Sequence, residues 1–94
     1  MLIENFVPDG LGNAVHADAL AIAVGLGEDT RTLRKMVEDA HRRGVPVCSC
    51  GNGYFMPTNA SEARIFLKME QSRARKAQTA IAAVSAAMEN LPDV

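Results

Sequence analysis

EDTRTLRKMVEDAHRR, Glu28 to Arg43, is the stretch that decides the fold. Leu33, Met36, Val37 and Ala40 fall at i, i+3, i+4 and i+7, the spacing that gathers apolar side chains on one face of a helix. Arg31, Arg34, Lys35, Glu38, Arg42 and Arg43 take the rest of its surface. Asp29 is placed to cap the start. Its carboxylate can accept a hydrogen bond from a free N–H of the first turn, and it suits the positive end of the helix dipole. Gly44 ends the helix, after two arginines that suit the negative end.

Toward the N-terminus a second helical pattern precedes it. From His16 or Ala17 to Val24, the residues Ala17, Leu20, Ala21 and Val24 share a face, and alanine favours helix. Gly25-Leu26-Gly27 stops it, with Leu26 as a plug between the two helices. A helix, a short Gly-containing turn and an amphipathic second helix make a helix-turn-helix pattern. Further upstream, Leu2 to Val7 is a short apolar segment that fits one or two helical turns or a strand. Pro8-Asp9-Gly10 ends it in a turn, and Leu11 to Ala14 reads as loop.

Beyond Gly44 the period changes. Val45, Val47 and the residues to Cys50 form a β-rich run. Gly51-Asn52-Gly53 is a turn, Tyr54-Phe55-Met56 returns as a second strand, and Pro57 ends it: a β-hairpin. Alternation turns Tyr54 and Met56 inward and leaves Phe55 to meet the helix that follows. Asn59 with Glu62 three residues on is a capping-box arrangement. No Gly or Pro interrupts Ala60 to Asn90, so a helix of roughly 45 Å is expected at 1.5 Å per residue. Ala74, Ala77, Ile81, Val84, Met88 and Leu91 follow steps of three and four, an a/d seam that implies a coiled-coil homodimer. Ala63, Phe66 and Leu67 read as a separate patch for packing on the hairpin and second helix, with Arg73, Arg75 and Lys76 between the two parts. Leu91 to Val94 is expected to fray. The expected division is residues 1–58 and residues 59–94.

Composition narrows the function classes. A hydrophobic fraction of 48% is too high for a disordered chain. No apolar run approaches the ~20 residues of a membrane span. The start, MLIENFVPDG, has an early acid and no basic region, unlike a signal peptide, so a cytoplasmic location is expected. Cys48 and Cys50 fit a reducing compartment, where thiols stay free. The net charge of −1 hides an asymmetry: residues 1–28 carry Glu4, Asp9, Asp18 and Glu28 and no Lys or Arg, while all ten basic residues lie between Arg31 and Lys76. Nucleic-acid binding would therefore need local clustering rather than bulk charge.

The runs AVHADALAIAVGL and TRTLRKMVEDAHRRGVPVCSCGNGYFMPTN, in that order, resemble a winged helix-turn-helix domain. The second run is similar to the winged domain at the N-terminus of biotin-repressor-type regulators, in which a recognition helix ends in Gly, an apolar strand follows and a Gly-Tyr pair returns from the wing. The whole chain resembles small winged-helix proteins of bacteria and their phages. The turn Gly25 to Thr30 is about two residues longer than in the compact motif.

The resemblance implies a mainly α, α+β winged-helix fold and double-stranded DNA as partner, with a role in transcription regulation or as a phage or mobile-element accessory factor. It implies that Thr30, Arg31, Thr32, Arg34 and Lys35 form the groove-facing start of the recognition helix, where Arg can pair with guanine and Thr or Lys can hold phosphates. Ser49 and Asn52, on a wing tip without Lys or Arg, would position the protein rather than read bases. Winged helices also serve as protein-binding modules, so an adaptor role in replication or transcription is the alternative. Cys48, Cys50, His16 and His41 are four zinc-ligand types whose spacing matches no common zinc site, and neither metal nor cofactor is expected. With no acid–base pair, activated nucleophile or Gly-rich phosphate loop, an enzyme is not expected.

Overall fold

The computed structural model describes residues 2–88, 90 and 91. It is a mainly helical α+β layout: helix α1 (Ala17–Ala23), helix α2 (Thr30–Arg42), strands β1 (Cys48–Cys50) and β2 (Gly53–Phe55) as an antiparallel hairpin, and a long helix α3 (Ala60–Met88). Two 3-10 turns, Ile3–Asn5 and Leu11–Asn13, precede α1. The first agrees with the helical reading of the N-terminal segment; the second stands where a loop was expected. Pro92, Asp93 and Val94, most of the expected frayed tail, lie outside the described residues.

The α1–α2 pair is built as the apolar spacing predicts. Leu20, Ala21 and Val24 of α1 pack on Leu33, Val37 and Ala40 of α2, with Ile3, Val7 and Val47 completing one core. Met36 and Ala17 are partly buried against it. Both helices stop in the same way. The Gly25 N–H donates to Ile22 O and the Leu26 N–H to Ala21 O; the Gly44 N–H donates to His41 O and the Val45 N–H to Ala40 O. This is the Schellman arrangement, which satisfies two otherwise orphaned carbonyls at each end. The residue just past each glycine, Leu26 and Val45, is apolar and packs on the core. Leu26 is thus the plug its lone apolar character suggested.

The hairpin is covered on both faces. Tyr54 and Met56 pack against the core. Phe55 is 0% exposed, the largest fully buried side chain. It is the cross-strand partner of the buried Cys48, and such partners share a face. That face meets α3, since Cys48 lines one apolar cleft with Ala63, Phe66 and Leu67.

On its other edge β2 is completed by the chain before α1. Val15 exchanges both backbone hydrogen bonds with Tyr54, at 3.0 and 2.8 Å, and Pro8 O and the Gly10 N–H bind Met56. This pairing uses backbone groups alone, so no side-chain pattern announced it. It brings Val15 and His16 so close to Gly53 that a Cβ there, at φ +113°, would overlap the Val15 carbonyl and stand 2.6 Å from His16 N.

The start of α3 is fixed from three directions. The Glu62 N–H donates to Asn59 Oδ1 at 2.9 Å, as a capping box requires. The return bond differs from that pattern. Glu62 Oε1 accepts from the N–H and hydroxyl of Thr58, and Oε2 accepts from the Leu11 N–H at 3.0 Å. These bonds hold the Glu62 carboxyl below the ordinary carboxylate range. α3 is therefore tied both to the segment that leaves the hairpin and to the second 3-10 turn. From Gln71 to Met88 every residue is exposed.

Candidate nucleic-acid interface

Asp29 caps α2 as its sequence position implies: Oδ1 accepts from the Thr32 N–H at 3.0 Å and Oδ2 from the Thr32 hydroxyl. Those two bonds lower the Asp29 pKa. They also commit the Thr32 hydroxyl to the cap, leaving one of the expected groove-facing groups already engaged.

Core residues Leu33, Val37 and Ala40 define the inner side of α2. At 100° per residue, the expected DNA-facing side chains then divide into three directions. Thr32 turns to one flank, where it lines a shallow depression with Ile3, Lys35, Met36, Asp39 and Arg43. Arg34 turns to the other flank, about 160° away, into a groove shared with Glu38 and His41 of α2, Ser49 and Tyr54 of the hairpin, and Phe66 and Glu70 of α3. Arg31 and Lys35 lie between, opposite the core, and both are exposed. Neither forms an ion pair among the described residues. Thr30, at the first position, is half-buried.

Arg42, outside the expected set, lies on the same outer ridge, seven residues after Lys35, and meets Glu38 at 4.0 Å. Its i+7 spacing was the signal that could have added it. Of the wing residues, Ser49 is brought to Arg34 in the shared groove, whereas Asn52 stands exposed at the hairpin tip, its N–H on Cys50 Sγ at 3.4 Å.

His41 and Arg43 have structural partners. His41 Nε2 lies 2.8 Å from the Val47 carbonyl oxygen. That oxygen can only accept, so this ring nitrogen carries the proton. The ring also packs on Phe66, centroids 6.2 Å apart. Cys48 is buried; burial, the largest cause, pushes its thiol pKa up, and the charge of Glu62 adds to this. A raised thiol pKa is the opposite of what a reactive thiolate needs. Among the described residues, no three His, Cys, Asp or Glu side chains come together as metal ligands, and Cys48 and Cys50 are free thiols. Among the described residues, no helix is long and apolar enough to cross a membrane.

The expected seam residues Ala74, Ala77, Ile81, Val84 and Met88 lie on the free part of α3. Leu91 follows in a turn, its N–H on Met88 O at 3.1 Å. Ile81, Val84 and Met88 are 58%, 62% and 65% exposed. No family model, curated protein or solved structure matches the chain. The likeness to a winged helix therefore rests on the order and packing of its elements.

Proposed function

We propose that the chain binds double-stranded DNA through α2, as a winged helix that dimerises by the free part of α3 and acts as a small transcriptional regulator or a phage or mobile-element accessory factor. The observation that carries this reading is the outer ridge of α2. Arg31 and Lys35 project from the side that the core and hairpin leave open, without acidic partners among the described residues. A helix offering free cations on its outward side, beside a hairpin, can enter a major groove and set its register on phosphates. In this reading Arg34, between the ridge and Ser49, supplies the contact to a base edge on the hairpin side.

A second reading has its own support. Glu38 and Glu70 line the groove that holds Arg34, and the hairpin tip carries no Lys or Arg. A mixed-charge groove of this kind suits a protein surface better than a polyanion, which favours a winged interaction module in replication or transcription. Retardation of duplex DNA at low salt separates the two: sequence-dependent retardation supports DNA binding, and none at ~50 mM salt supports the interaction module.

A further inference from the structure

The free part of α3 shares a side with the part that packs on the body. Ala63, Phe66, Leu67 and Glu70 face the hairpin and α2. From Ala63 the four-and-three steps run through Leu67 and Glu70 into Ala74 and Ala77, then on to Met88 without a break. The patch at Ala63 and the seam beyond Ala74, read separately in the sequence, are one continuous stripe. Along its first half Ala63, Phe66 and Glu70 are half-buried against the body of the same chain while Leu67 stays 50% exposed, and its second half, from Gln71 onward, is exposed.

This placement restricts how two copies can share the stripe. Helices packed through such a seam have axes 8–10 Å apart. In a parallel pair, both bodies would have to fit between the body-facing halves of the two helices, and no body fits in that gap. In an antiparallel pair each body lies beyond the end of the other copy's free segment. We propose that the chain forms an antiparallel helix pair with a second copy, Ile81 against the partner's Val84 and Ala77 against the partner's Met88. This rests on the dimer reading given above.

Between Lys76 and Glu89 no side chain is charged, and alanines beside Ile81 and Val84 let the helices approach closely. The two Leu67 anchor points would then stand about 46 Å apart at 1.5 Å per residue.

Disulfide trapping tests it on the full chain. Ala77→Cys and Met88→Cys are made separately in a background with Cys48→Ala and Cys50→Ala, refolded together and oxidised. The expected product is a covalent dimer of one Ala77→Cys chain with one Met88→Cys chain, and none from Ala77→Cys alone. Ready crosslinking of Ala77→Cys with itself overturns the antiparallel pairing and leaves the dimer standing. A wild type that is monomeric at ~100 μM by light scattering overturns the dimer reading, and this pairing with it. Small-angle scattering of the wild type needs no substitution: the antiparallel dimer should extend to roughly 70 Å or more at 1.5 Å per residue, against 49 Å for a single chain. A dimer no longer than one chain overturns the pairing.

Discussion

Arg43 grips Glu4 with two parallel hydrogen bonds, Nη1 to Oε1 at 2.9 Å and Nη2 to Oε2 at 3.1 Å. Its Nε holds Asp39 as well, at 2.9 Å. The Glu4 side chain is only 17% exposed. A planar guanidinium matched to a carboxylate gives geometry as well as attraction. Here it fixes the first 3-10 turn, and with it Ile3 of the core, on the C-terminal end of α2.

The Arg43 hydrogen bonds hold the Glu4 carboxyl below its ordinary value of 4.5, and Asp29 and Glu62 are lowered by their own hydrogen bonds. A carboxyl depressed in the folded state binds protons more weakly than in the unfolded chain. Its contribution is therefore present above the ordinary carboxylate pKa and lost as pH falls through the folded value. Urea melts should show stability holding from neutral pH down to about 5 and dropping below it. Glu4→Gln should be less stable than wild type at pH 7, and the difference should shrink at about pH 3. An equal difference at both pH values would show that Glu4 acts by shape and not by charge.

Gly53→Ala should destabilise the fold by roughly 2–4 kcal/mol, since the new methyl meets backbone rather than a movable side chain and the φ value strains an L residue. Gly51→Ala, where a Cβ would meet nothing within 4 Å, is the control and should change stability little. Chemical denaturation of both variants decides it. Equal stabilities would mean that the Val15–Tyr54 pairing does not hold the hairpin as described.

Much of this architecture is legible in the sequence, and the illegible parts have a common cause. The faces of α1 and α2 follow from side-chain period, and the caps at Asp29, Gly44 and Asn59 follow from residue chemistry at helix ends. The third rung beside β2 does not, because Val15 and Pro8 use backbone groups that every residue has. Arg43 reads as a helix-end cation; Glu4, 39 residues earlier, gives no local sign of the pairing. For the candidate interface, the cationic start of α2 is visible, and even the divergence of Thr32 from Arg34 is implicit in the helical angle. The acidic neighbour Glu70 is not, because it is brought to Arg34 only when α3 folds back.

Ile81→Asp should dissociate the proposed dimer and leave the body folded. Ile81 is 58% exposed in the single chain, so the substitution costs little there, while in a seam it buries an unpaired charge at a cost of several kcal/mol. Light scattering should report a monomer, with unchanged near-ultraviolet circular dichroism from Tyr54. An unaltered dimer would place the contact elsewhere.

A salt titration of fluorescence anisotropy, on a duplex selected from a random pool, decides whether α2 carries DNA binding. Lys35→Ala should weaken all sequences alike and flatten the salt dependence by about one unit of slope. Arg34→Ala should cost roughly 1–3 kcal/mol and relax preference at one base pair. Arg64→Ala, on α3, should bind as wild type does. Equal binding by wild type and the two α2 variants, or no binding of any duplex at ~50 mM salt, would exclude α2 as the DNA-binding element.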